Sequence, residues 1–321
     1  MELIRGLHNL RARHRGCVAT IGTFDGVHLG HQDIIRRLCA HGVRLRLPST
    51  VVSFEPMPRE FIDPAHAPPR LTRLRDKIEV FGDLGLDRFL LLRFDARLQA
   101  MTGQQFVAEL LSTGLGARQV VVGHDFRFGA GGGGAPESLQ RLGPALGFGV
   151  EIVAPVMVQG ERVSSTGVRT ALARGDLEAA QRLLGRRYHA TGRVVRGAQL
   201  GRELGFATAN LRLRKSFPLW GIFAVFASRN GQAPRPGVAS VGTRPTVNGK
   251  EPVLEVHLFD FAGEFYGEHL RVEFVAKLRE ERKFPSLDQM VVQMHEDARQ
   301  ARAALTAAGW NPDSSPIPQA G

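Results

Sequence analysis

The sequence predicts an α/β domain built on a parallel sheet, followed by a mostly antiparallel β-domain, a barrel or a sandwich, with a C-terminal helix. Two observations predict it. Up to about residue 185, short apolar runs alternate with stretches of helical periodicity, the pattern of a parallel sheet with helices on both faces. From residue 186 onward, strand-like runs follow one another closely, separated by glycine, proline and asparagine, with no long helix until the end. The expected domains are therefore 1–185 and 186–321. A helix at 176–184, within RGDLEAAQRLLGRRY, leads from one to the other.

The elements follow in order. CVATIG (17–22) is a short apolar run ending in glycine and reads as a buried strand. DIIRRLCAHG sets Ile34, Ile35, Leu38 and Cys39 at helical spacing, with Gly42 as the expected stop. STVVSF (49–54) reads as a strand, RLRDKIEVFGDLG as a helix, DRFLLLRF as a strand and TGQQFVAELLSTG as a helix beginning near Thr102. ARQVVVGHDF and GFGVEIVAPV complete the sheet. The glycine run 129–134 reads as a mobile loop. In the second half YHATGRVVRG, GIFAVFAS, RPGVASVG, PVLEVHLFDF and HLRVEFVAKLR read as strands. SLDQMVVQMHEDARQARAAL is the final helix, and NPDSSPIPQAG reads as a frayed tail.

The 321 residues suffice for two domains with cores of their own. Two cysteines, Cys17 and Cys39, make no disulfide framework and fit a reducing cytoplasm. The N-terminal stretch MELIRGLHNLRARHRG is too charged for a secretory signal, and no apolar run reaches membrane-spanning length. The expectation is a cytoplasmic protein with no membrane partner. A net charge of +11 suits an anionic partner. The arginines are nevertheless scattered, without a long basic block, so most read as solvated surface.

Candidate chemistry begins at TIGTFDGVHLGHQDIIRRL. His28 and His31 stand three apart, just after a strand and at the entry to a helix. The first turn of a helix carries unpaired N–H groups and a partial positive charge. Two imidazoles sharing a face there suit phosphate oxygens and the charge that develops in phosphoryl or nucleotidyl transfer. From the residues alone, the pair is also open to metal binding, though no third ligand stands at zinc-like spacing, or to two hydrogen-bonded surface histidines.

The surrounding motifs narrow this. GTFDGVHLGHQ resembles the HxGH nucleotidyltransferases, specifically the FAD synthetase half of the bacterial bifunctional riboflavin kinase/FAD synthetase family. FEPMPREF (54–61), GHDFRFG (123–129) and SSTGVRTAL (164–172) follow in that family's order. The resemblance implies a Rossmann-like nucleotidyltransferase domain that transfers AMP from ATP to FMN. It places Gly22, Phe24, Asp25, His28 and His31 at the ATP phosphates, with Ser165, Thr166 and Arg169 as a second phosphate-binding segment. Arg169 suits charge neutralisation at the leaving pyrophosphate. The same resemblance assigns Asp125, Phe126 and Arg127 to a flavin-contacting loop. Met57 stands where many relatives carry histidine, and Gly167 where arginine is frequent.

In the second half no GxxxxGK[ST] loop occurs, so a P-loop kinase is not supported. GRVVRGAQLGRELGFATANL (192–211) instead resembles the riboflavin kinase signature, which usually reads PTAN; here Ala207 replaces the proline. By resemblance, Gly201, Thr208 and Asn210 bind ATP, and Thr208 and Asn210 suit Mg²⁺ as oxygen donors. From the residues alone, Thr208 and Asn210 also read as a hydrogen-bonded turn. In VLEVHLF, alternation sets Leu254, Val256 and Leu258 on one face and Glu255 and His257 on the other. A carboxylate inside so apolar a strand needs a task or a partner, and the resemblance makes Glu255 the general base for the ribityl hydroxyl. GVASVGTRPTV (237–247), with Ser240 where asparagine is common, and EFYGEHLRVEFVAKLREERKFPSLDQM continue the match.

The resemblance thus spans residues 17–303. It implies a β-barrel riboflavin kinase domain behind the Rossmann-like one. ATP, riboflavin and FMN are the expected substrates, Mg²⁺ the expected cofactor, and no nucleic acid is expected. Two rival readings are an enzyme retaining only one of the two activities and, from the basic charge and small barrel, a nucleic-acid-binding module.

Overall fold

The computed structural model describes residues 1–196, 206–213, 216–229, 232–246, 249–261, 263 and 265–311. The chain folds as two compact units, residues 1–68 with 74–165, and residues 69–73 with 166–321.

The first unit is a six-stranded parallel sheet of β1 (Glu2–Arg5), β2 (Cys17–Ile21), β3 (Ser49–Phe54), β4 (Arg88–Leu92), β5 (Ala117–Gly123) and β6 (Gly149–Val153), in the order β1-β4-β3-β2-β5-β6. Every residue of β2 and β3 is buried. That is why they appear in sequence without polar alternation: apolar residues and small hydroxyl residues (Thr20, Ser49, Thr50, Ser53) fill every position, and no charged residue occurs. Side chains leave the sheet on both faces. Ala19, Val52, Leu90 and Val120 pack with Val107 and Leu111 on one side. Val18, Val51, Phe89 and Val121 pack on the other with Ile35 and Leu38 of α1 (Leu29–Leu45) and Phe81. After β2 the chain builds β3 and β4 to one side, then returns to add β5 and β6 on the other. The crevice beyond the carboxyl ends of β2 and β5 is therefore the topological switch point, where such sheets bind ligands.

Shorter elements fill the connections: α2 (Pro58–Ile62), α3 (Leu74–Asp83), α4 (Ala96–Ala100), α5 (Gly103–Gln105), α6 (Pro136–Leu142) and a small hairpin of β7 (Met157–Val158) and β8 (Glu161–Arg162). Two local expectations change. Gly42 does not stop α1, which runs on to Leu45 and ends at Arg46 in the left-handed region (φ 55°). Gly42 is needed inside the helix, because a Cβ there would lie 2.8 Å from the Leu47 carbonyl. The helix expected from Thr102 is capped by that residue, but it passes from α5 into a π-helix over Phe106–Gly114, a widening that periodicity alone does not reveal. In the glycine run, a Cβ on Gly129 would lie 2.5 Å from the Gly103 nitrogen, and one on Gly134 would lie 2.7 Å from the Phe128 ring. Both glycines are there for close approach.

The second unit begins with α7 (Ser165–Ala173, of which Ser165 belongs to the first unit) and α8 (Leu177–Leu184). It then forms a closed antiparallel barrel of β9 (His189–Val195), β10 (Thr208–Arg212), β11 (Gly221–Arg229), β12 (Arg235–Thr246), β13 (Gly249–Leu258) and β14 (His269–Arg279), in the order β10-β13-β12-β11-β14-β9. The barrel-or-sandwich alternative is settled by β9 pairing with β10, which closes the ring. Thr208–Arg212 is a strand in that ring rather than a turn. The final helix, α9 (Leu287–Ala307), is capped by Ser286, and its Ala301 and Leu305 cluster with Ala224 and Phe226 of β11. Gly201 and the tail from Pro312 to Gly321 lie outside the described residues.

Candidate active sites

In the first unit the site is built where β2 gives way to α1. His28 has extended backbone (φ −68°, ψ 172°) and caps the helix: its Nδ1 accepts from the His31 N–H at 3.3 Å. That hydrogen bond fixes a lone pair on Nδ1, so neutral His28 carries its proton on Nε2. The two rings stack at 3.7 Å with planes 17° apart, and Phe24 meets His31 edge-on at 5.1 Å. Gly30 leaves room for this, since a Cβ there would come within 3.2 Å of His28 Cε1.

The turn before the helix holds two non-glycine residues at positive φ, Phe24 (49°) and Val27 (43°). Such backbone is costly, above all for a β-branched residue, and persists only where its surroundings impose it. Here the carbonyls of the turn are tied down one by one. Thr23 accepts from Lys77 Nζ at 2.6 Å and from Ser53 Oγ at 3.3 Å; Val27 accepts from Gln32 Nε2 at 2.9 Å; Asp25 accepts from Ser165 Oγ at 2.8 Å. Gly22, Phe24, Asp25, His28, His31 and Ser165 are thereby gathered in one place, with Asp25 and His28 buried. Lys77 escapes a reading of the sequence. Its signal is a lysine on the apolar face of α3, in register with Val80 and Phe81, and it is buried. Thr166 and Arg169, on α7, belong to the second unit, where Arg169 Nε donates to the Pro69 carbonyl at 2.7 Å.

At the carboxyl end of β5, the neighbour of β2, lies the loop of Asp125, Phe126 and Arg127. Phe126 stacks on Phe128 at 5.6 Å, and Asp125 pairs with Arg162 of the β7–β8 hairpin at 2.5 Å. An aromatic shelf flanked by charges at the switch point suits a planar ring system that carries a phosphate.

In the barrel, register does the positioning. Asn210 of β10 lies directly opposite Glu255 of β13, Thr208 lies opposite His257, and Ser240 of β12 flanks Glu255 on its other side. Thr208, Ser240, Glu255 and His257 all line one open cavity of about 290 Å³, together with Phe206, Phe284, Met290 and Met294. Glu281 lines it too. Burial, then the charge of Glu255, push its carboxyl above the usual range. Sequence reasoning misses Glu281, because it sits in the charged run REERK, where nothing distinguishes it from surface. Asp297 at the same cavity is held by Arg279 through a two-point pair at 2.8 and 2.6 Å. The hydroxyl and amide of Thr208 and Asn210 and the carboxylate of Glu255 are hard oxygen donors, the set Mg²⁺ takes. Among the described residues, no group of three or more His, Cys, Asp or Glu side chains is arranged to hold a metal on its own.

A parallel α/β unit with a histidine-lined helix mouth at its switch point, and a closed barrel with a carboxylate in its cavity, define a two-unit nucleotide-dependent transferase. Comparison with known proteins narrows this. A family model described as FAD synthetase matches residues 10–167, and one described as riboflavin kinase matches residues 184–305. The chain is 49% identical over 305 residues to a bifunctional riboflavin kinase/FMN adenylyltransferase of Pseudomonas fluorescens, covering 94% of this chain and 97% of the relative. It is 46% identical over 304 residues to the protein of the same description from Escherichia coli (strain K12), with the same coverage. A solved structure described as a macrolide-efflux protein from Streptococcus pneumoniae superposes with a TM-score of 0.82 at 29% identity, covering 97% of this chain and 100% of that one. That likeness supports the fold. Among the described residues, no helix is long and apolar enough to cross a membrane. The chain belongs to the bifunctional riboflavin kinase/FMN adenylyltransferase family.

Proposed function

We propose that the chain phosphorylates riboflavin with ATP to give FMN and ADP, and then transfers AMP from a second ATP to FMN, giving FAD and pyrophosphate. Residues 186–321 carry the first reaction and residues 1–185 the second. The observation that carries the kinase half is the β10–β13 register, which sets Thr208 and Asn210 on the same barrel face as Glu255. In that reading the Glu255 carboxylate takes the proton of the ribityl hydroxyl as the γ-phosphoryl group moves to its oxygen. Thr208, Asn210 and Gly201 hold the nucleotide. Thr208 and Asn210 would hold Mg²⁺, which would supply charge neutralisation at the phosphates. Positioning and charge stabilisation carry most of the acceleration.

In the adenylyl transfer the attacking group is the FMN phosphate, which needs no deprotonation by a strong base. The work is electrostatic. The helix mouth with His28 and His31, together with Gly22, Phe24, Asp25 and Ser165, holds the ATP phosphates; Thr166 and Arg169 belong to the second phosphate-binding segment, with Arg169 balancing charge on the departing pyrophosphate. Asp125, Phe126 and Arg127 receive the flavin. The reading places both reactions in the cytoplasm and requires no nucleic acid and no membrane.

The test is to incubate the full chain with riboflavin, ATP and Mg²⁺ and to separate FMN from FAD over time. FMN followed by FAD is expected. FMN that accumulates without FAD overturns the first-half assignment; FAD from supplied FMN, with none from riboflavin, overturns the second.

A further inference from the structure

We propose that His257 is a positioning residue for the nucleotide-binding segment at Thr208, and that its hydrogen bond to Ala207 supplies the constraint a proline gives in the usual form of the signature. The proposal rests on the kinase reading above. His257 stands opposite Thr208 across the β10–β13 ladder, and its Nδ1 lies 3.0 Å from the Ala207 carbonyl oxygen. A carbonyl only accepts, so Nδ1 carries the proton and donates it. Burial holds the imidazole below its ordinary pKa. The Nδ1–H is committed to this bond.

The same ring packs on Phe206 at 4.9 Å, and Phe206 meets His295 of α9 at 5.0 Å. One side chain therefore fixes both residues that lead into Thr208: Phe206 through its ring and Ala207 through its carbonyl. The Ala207 side chain is exposed. A proline there would lock φ near −65° by itself; an alanine leaves φ free, and the constraint must come from outside. The imidazole supplies it from the neighbouring strand, at the wall of the cavity that also holds Thr208 and Glu255.

The experiment measures kcat and the KM for Mg·ATP in FMN formation by the full chain. The variants are H257F, which keeps the ring packing and loses the donor; H257N, whose amide nitrogen takes the place of Nδ1; A207P; and the pair A207P/H257F. H257F is expected to raise KM by roughly five- to tenfold, the worth of one hydrogen bond, with kcat falling less than about twofold. H257N, which keeps the donor but loses the ring, is expected to lie between wild type and H257F, and A207P to restore most of the KM lost in H257F. FAD formation from FMN stays unchanged throughout. An unchanged KM in H257F, equal impairment in H257N and H257F, or additive effects of A207P and H257F overturns the inference. If H257F is overpacked and melts early, H257A replaces it with the same expectations. A wild-type chain that makes no FMN removes the kinase reading and this inference together; an active wild type with an indifferent His257 removes this inference alone.

Discussion

The rings of His28 and His31 stack at 3.7 Å while the backbone N–H of His31 donates to the Nδ1 of His28. The His28 imidazole thus serves as helix cap and as half of the pair; the His31 ring takes no part in the cap, which uses only its backbone. The two are separable by mutation. His31→Ala keeps the backbone donor and the cap, and FAD formation from FMN is expected to fall by about 10² or more while FMN formation from riboflavin is untouched. His28→Ala is expected to lose FAD formation equally and also to cost the first unit about 1 kcal/mol of stability through the missing cap. Product separation and a denaturant titration of both variants check this. Loss of FMN formation in His31→Ala would contradict the separation of the two activities.

Glu255 makes the reciprocal case. It sits between Asn210 and Ser240 in the barrel ladder, on the cavity face of β13. Glu255→Gln keeps size and hydrogen bonding but cannot take a proton. FMN formation is expected to fall by about 10²–10⁴, with FAD formation from supplied FMN unchanged. A Glu255→Gln chain that phosphorylates riboflavin at near wild-type rate would assign the proton elsewhere, with Glu281 on the same wall the next group to substitute.

How far these sites can be read from sequence depends on what fixes each part. Cys17–Ile21 and Ser49–Phe54 are legible because a strand covered on both faces admits only apolar and small hydroxyl side chains, with no charge at any position. His28, His31 and Glu255 are legible because polar groups at a strand end or inside an apolar strand break a pattern. Thr208–Arg212 is not legible as a strand: Thr and Asn favour turns locally, and only the distant partner strand, through the Asn210↔Glu255 pairing, overrides that preference. Gly42 reads as a stop because local sequence cannot show the Leu47 carbonyl 2.8 Å from where its side chain would begin. Lys77 and Glu281 are tertiary facts, set by what the turn carbonyls and the cavity wall require.

Gly30 links backbone to site. Alanine in place of glycine inside a helix ordinarily gains about 1 kcal/mol. Here the new methyl would lie 3.2 Å from Cε1 and 3.3 Å from Nδ1 of His28, whose ring is backed by His31. The ring can retreat only by disturbing the stack. Gly30→Ala is therefore expected to keep thermal stability within about 1 kcal/mol of wild type, the helix-propensity gain being offset by disturbance of the His28 cap, and to lower FAD formation by about tenfold, with FMN formation unaffected. Stability and product assays on one preparation check both halves. Full FAD activity in this variant would show that the stacked geometry tolerates displacement.

His189, at the start of β9, gives a pH dependence whose sign can be worked out. Its ring is buried, and its pKa is lowered from 6.5 to about 3, first by burial and then by the charges of Arg271 and Arg186. The backbone hydrogen bond with Arg187 opposes the shift and is outweighed. The folded unit therefore keeps His189 neutral where the unfolded chain takes up a proton. Below about pH 6.5 the unfolded state binds more protons, so stability is lost as pH falls towards 3 and is fully present above 6.5. At about 1.4 kcal/mol per pKa unit, the loss between pH 7 and pH 4 is on the order of 3 kcal/mol. Both tryptophans, Trp220 and Trp310, belong to the second unit, so their fluorescence follows its unfolding alone. His189→Phe preserves bulk and cannot be protonated. Carboxylates titrate in both chains, and the difference between wild type and variant isolates the histidine. The pH 7-to-4 fall in unfolding free energy is expected to be smaller in the variant by that amount, and equal slopes in the two proteins would show that His189 is protonated as readily folded as unfolded.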